Sequence, residues 1–87
     1  MPRYYFHLFN DMQIPDAEGI ELPNDSVALE RAQSAAREMA AESVRQGRLV
    51  LNHRIEVTDE SGKSVGVVHF GDAVLIKDRE SGANSSG

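Results

Sequence analysis

The chain has 87 residues, 9 Lys and Arg against 14 Asp and Glu for a net charge of −5, and no cysteine. That length allows one domain, the missing thiols exclude disulfides and thiolate metal sites, and the acidic field disfavours nucleic acid, although Arg31, Arg37, Arg45 and Arg48 can gather on one helix. No apolar run nears the roughly 18 residues of a membrane span, and residues 1–9 lack the layout of a secretory leader, so a cytoplasmic protein with no membrane partner is expected.

Residues 4–9 are an aromatic and apolar run that reads as a strand. Asn10 and Asp11 mark a turn, and residues 12–19, with Pro15, Asp16 and Gly19, read as a loop. Residues 20–22 form a short second strand stopped by Pro23. Residues 24–46 form a helix. Asn24 or Asp25 caps its start, and Ala28, Ala32, Ala36, Ala40 and Val44 repeat every fourth position as a buried stripe. Gly47 supplies its left-handed stop. Residues 53–59 and 63–70 then read as two strands around Glu60-Ser61-Gly62. A three-residue loop ending in glycine places Asp59 opposite Lys63, Val57 opposite Val65, Ile55 opposite Val67 and His53 opposite His69. Residues 72–76 make a last short strand or turn. The domain therefore spans 1–76, and residues 77–87, rich in Ser, Gly and charge, form a disordered tail.

The opening Met1-Pro2-Arg3-Tyr4-Tyr5-Phe6-His7 resembles a family of short proteins of unknown function common in rhizobia and related alphaproteobacteria. The resemblance extends to Asp16-x-Glu18-Gly19-x-Glu21-Leu22-Pro23, the Ala-rich helix, Ile55-Glu56-Val57-x-Asp59-Glu60-x-Gly62, and Phe70-x-Asp72-Ala73, over residues 1–76 in the same order. Asn24 stands where the family pattern has Asp, and both cap a helix. The resemblance implies a bacterial source and supplies no activity, cofactor or catalytic residue.

Three histidines and many carboxylates raise the question of a metal or acid–base site. His53 and His69, opposite each other in the expected register, present two imidazoles, but spacing names no third ligand. His7, between Phe6 and Leu8, reads more simply as a hydrogen-bonded histidine of the first strand. Asp16 and Glu18 lack the alternating oxygen ligands and sixth-position glycine of a calcium loop and read as turn and strand-edge residues. No phosphate-binding glycine loop or nucleophile elbow occurs. No catalytic, cofactor or metal residue is therefore assigned.

The expected fold is α+β, two antiparallel hairpins joined by one long helix on a four-stranded sheet. In the first strand Tyr4, Phe6 and Leu8 point one way and Tyr5, His7 and Phe9 the other. In the last, Val65 and Val67 oppose Val68 and Phe70. One helix covers one face, which leaves Tyr5, Phe9, Val68 and Phe70 as a candidate interaction surface. The function expected is a non-catalytic protein-interaction module that self-associates, as a homodimer. An antitoxin-like regulator binding a partner protein is the alternative by fold analogy, and a small enzyme or metal protein using His7 or His53/His69 comes behind both.

Overall fold

The computed structural model describes residues 1–75, so the expected tail at 77–87 lies outside the described residues. The elements are β1 (Arg3–Phe9), β2 (Gln13–Ile14), β3 (Ile20–Glu21), α1 (Asp25–Arg45), β4 (Arg54–Thr58), β5 (Ser64–His69) and α2 (Phe70–Ala73). They form an antiparallel sheet of five strands in the order β2-β1-β4-β5, with β3 also paired to β1, and α1 lies across one face. The α+β class and the long helix match the sequence reading, and the strand count rises from four to five. The extra strand comes from the supposed loop at 12–19, where Leu8 pairs with Ile14 and Phe9 with Gln13.

The helix begins as its sequence demands. Asn24 is extended, and its side chain accepts from the Val27 amide at 2.9 Å, closing one of the first free N–H groups. Ala28, Ala32 and Ala36 are fully buried and Ala40 nearly so. Small side chains along one stripe let the helix backbone lie close to the sheet. The sheet answers with Gly66, where an added Cβ would stand 2.8 Å from Leu29 Cδ2. Leu29 thus occupies the space that any larger residue at 66 would need. Ile55 and Val57 complete the centre of the core, with Tyr4 and Phe70 closing its two ends.

Tyr4 also ties the sheet to the helix start, because its hydroxyl donates to Asp25 Oδ1 at 2.7 Å. That bond, then burial and the charges of Asp25 and Asp59, push its pKa up from 10.0 to about 12. The neutral phenol is therefore the form the fold holds. Its contribution is complete below pH 10.0 and is lost as the pH rises toward 12.

The β4–β5 register departs from the expected one. The turn itself is as read: Gly62 has φ 86°, the Asp59 amide donates to the Lys63 carbonyl at 2.9 Å, and the Gly62 amide donates to the Asp59 carbonyl at 3.0 Å. Thr58 pairs with Ser64, but Val57 then pairs with Gly66, Ile55 with Val68, and Arg54 with His69. A bulge at Val65 absorbs one residue and moves the rest of β5 to the opposite face. Val57 is therefore not opposite Val65, Ile55 not opposite Val67, and His53 not opposite His69. Val68 now packs against the core, Phe70 is 3% exposed, and Val67 turns outward at 43%. Residues 70–73 form the short helix α2 instead of a strand, held by the Phe70 amide on the His53 carbonyl at 2.8 Å and the Gly71 amide on the Leu51 carbonyl at 3.0 Å.

Because the alanine stripe leaves no spare volume, Ala36→Leu should cost about 1–3 kcal/mol of stability by overpacking. Chemical denaturation is the check, and an unchanged midpoint would remove the stripe from the core.

Candidate functional site

The sheet face away from α1 holds the residues most able to meet another molecule. Register places them in rows across three strands. Tyr5 stands opposite Thr58, His7 opposite Glu56, and Phe9 opposite Arg54. Glu56 in turn faces Val67, and Arg54 faces His69. The Arg54 guanidinium lies 4.2 Å from the Phe9 ring centre, a cation–π contact that keeps the aromatic partly covered while leaving charge at the surface. Tyr5 and His7 stack with ring centres 6.4 Å apart. Of the four surface residues expected from sequence, Tyr5 and Phe9 lie on this face. Val68 and Phe70 do not, because the bulge turns them to the helix side.

One corner is covered by the turn between β2 and β3, and Asp16 holds it there. Its Oδ2 accepts from the Phe6 amide at 3.1 Å, and its Oδ1 accepts from Glu18 at 3.1 Å and Gly19 at 3.2 Å. Partial burial alone would raise the pKa of this carboxyl, but the amides of Gly19, Phe6 and Glu18 outweigh it and hold the group below its ordinary 3.8. Gly19, at φ 67°, fits because a Cβ would stand 2.7 Å from the Tyr4 carbonyl oxygen and 2.9 Å from the Tyr5 ring.

His7 bridges this turn to β4, and the three side chains Thr58, His7 and Asp16 resemble a nucleophile–base–acid row. The wiring runs the other way. The Asp16 backbone amide donates to His7 Nδ1 at 3.1 Å, and an amide can only donate, so Nδ1 is the acceptor nitrogen. The proton of the neutral ring therefore sits on Nε2, which donates to Thr58 Oγ1 at 3.0 Å. A base poised to activate Thr58 needs its lone pair on that nitrogen. The row closes backbone and strand, and does not arm a hydroxyl.

The other two histidines are far less alike than the expected register made them. His53 packs its ring edge-on to Phe70, centres 5.7 Å apart, and points Nε2 at Asp11 Oδ1, 3.6 Å away. It lines a cleft of about 330 Å³ between the end of α1 and the β1–β2 turn, with Leu8, Met39, Glu42 and Arg48. Asp11 sits there between His53 and Arg48, the latter at 3.5 Å, so the charges of the cleft answer one another. His69 is on the open face with Nδ1 3.8 Å from Asp72 Oδ2. Among the described residues, no three His, Asp or Glu side chains converge as a metal-binding group, and no helix is long and apolar enough to cross a membrane.

These elements define an α+β fold in which, among the described residues, a helix clads one sheet face and none covers the other. The chain belongs to the family described as Domain of unknown function (DUF6894), whose model matches residues 3–71. Curated proteins and solved structures give no match to it. The match spans every described strand, the long helix and the start of α2, so the open face and the Asp16 turn both fall inside the family's domain.

Asp16→Ala leaves three amides without their acceptor and should cost about 1–3 kcal/mol. In the native protein the Asp16 contribution is complete above pH 3.8 and is lost as the pH falls through the depressed folded value. An acid-unfolding series should therefore be flatter below pH 4 for Asp16→Asn than for the native chain, because the native carboxyl takes up protons on unfolding and the amide does not. Parallel curves would show that the turn does not depend on this carboxylate.

Proposed function

We propose that the chain is a small non-catalytic protein-interaction module that self-associates as a homodimer in the cytoplasm of a bacterium. The observation that carries this reading is the open sheet face, where Tyr5, Phe9 and Arg54 lie together and no described helix covers them. Aromatic residues and Arg are the side chains most enriched in the centres of protein interfaces. The short chain adds a second argument, since it has no cysteine to staple its fold and association is the remaining common source of stability at this size. The alphaproteobacterial source rests on the opening residues 1–7, and the compartment on composition.

Sedimentation velocity at micromolar concentration tests the reading. A particle of twice the 9.6 kDa chain mass is expected. A clean monomer over that range overturns it.

A further inference from the structure

The cleft between the end of α1 and the β1–β2 turn combines an apolar wall with donors that are poorly answered. Leu8 and Met39 supply the wall. Phe70 backs the imidazole of His53, which is only 15% exposed and directs Nε2 toward the turn. Arg48 reaches the same turn carboxylate from the other side. At about 330 Å³ the space lies at the lower end of the range that small-molecule sites occupy.

The two carboxylates of the cleft are engaged to different degrees. Glu42 is taken by its own helix end, through the Arg45 guanidinium and the Gln46 side-chain amide, the latter at 3.3 Å. Asp11 answers both His53 and Arg48, one oxygen to each, and reaches neither well. Its Oδ1 stands 3.6 Å from His53 Nε2 and its Oδ2 3.5 Å from Arg48 Nη2. A charge-assisted N–H···O bond closes to about 2.7–2.9 Å. The turn explains the gap. The Asn10 amide donates to the Met12 carbonyl at 3.0 Å, and the Met12 amide donates to Asn10 Oδ1 at 2.8 Å. The backbone on either side of Asp11 is thereby fixed, and its short side chain, 73% exposed, cannot follow the donors into the cleft.

We propose that this cleft binds a short aliphatic carboxylate, whose carboxylate group takes the place of Asp11 between His53 and Arg48. Those two donors already address the two oxygens of one carboxylate, and the apolar wall stands beside them. Arg48 carries the charged half, because a guanidinium presents its N–H groups as a fork that matches a carboxylate. Leu8 and Met39 take the aliphatic chain, and the flexible thioether of Met39 adapts to its shape. A cation fits less well, because Glu42 is already engaged and Arg48 would face it. The net charge of −5 opposes an anion only weakly here, since salt screens exposed charges beyond about 8 Å. The nearest opposing charge is Asp11 itself, which swings into water as the ligand enters. The proposal does not depend on self-association.

Hexanoate titrated into the native chain and followed by amide and methyl NMR is the test. Saturating shifts are expected at Leu8, Met39, Arg48 and His53. Acetate should bind about tenfold more weakly or worse, because it leaves the wall in water, and hexylammonium should not reproduce the shifts. Arg48→Gln should weaken hexanoate binding about tenfold by removing the charged fork. Asp11→Asn should strengthen it about three- to fivefold by removing the competing charge. A role for Asp11 in bracing the turn alone gives no such gain. Both side chains are exposed, so the two variants should keep the native circular dichroism. Shifts that fail to saturate by about 20 mM hexanoate overturn the site. Equal binding of acetate and hexanoate overturns it as well, as does an Asp11→Asn chain that binds no more tightly than the native one.

Discussion

A helix can approach a sheet only as closely as the side chains between them allow. Here four alanines on α1 and a glycine on β5 set that distance. Ala28, Ala32, Ala36 and Ala40 give α1 a flat contact stripe, and the absence of a side chain at Gly66 lets Leu29 settle onto the strand. Most of the fold follows from that fit. The bulge at Val65 lets the strand present Gly66 beneath Leu29 while Val67 turns outward. Once Gly66 and Val68 face inward, Phe70 follows them into the core and opens α2, which Arg37 then fastens to the helix.

A core built from such small residues buries little area per contact, since the hydrophobic return scales with apolar surface removed from water. The rest of the molecule compensates with directed bonds. Tyr4 reaches Asp25, Asp16 gathers three amides, and Asp59 accepts from the Ser61 hydroxyl and from the amides of Ser61 and Lys63. The Ser61 hydroxyl bond leads in holding the Asp59 carboxyl below its ordinary value, against the upward pull of desolvation, with the Lys63 and Ser61 amides adding to it. Each of these side chains does for the backbone what a neighbouring strand or a longer turn would otherwise do.

How much of this was legible in the sequence depends on the range of the interaction. The helix was, because its caps and its four-residue repeat are local: the pattern predicts a helix over 24–46, and the helix spans Asp25–Arg45 with caps at Asn24 and Gln46. The Asp59–Gly62 turn was legible for the same reason. The ladder beyond it was not, because counting opposite residues assumes an unbroken strand, and the bulge answers to Leu29, distant in sequence. That single residue of slip moved Val68 and Phe70 off the open face and separated His53 from His69, while Tyr5 and Phe9, on a strand without a bulge, stayed where alternation put them. Two-residue β2 and the link from Asp16 to His7 leave almost no pattern of their own. A carboxylate preceded by proline and followed three residues later by glycine is the one signal that marked that turn.

The chemistry that seemed available in the sequence is therefore largely taken up by the fold. His7 gives its acceptor nitrogen to a backbone amide and its proton to Thr58; His53 lies against Phe70 beside Asp11. Groups bound this way have little freedom to exchange protons with a substrate, because doing so breaks a bond that holds two elements together. What the fold does not absorb, among the described residues, is surface: Tyr5, Phe9 and Arg54 on the sheet face away from α1. Such a face offers shape and charge to whatever meets it. Arg54 is answered on the same face by Glu56, two residues along β4, so the charge there is of both signs.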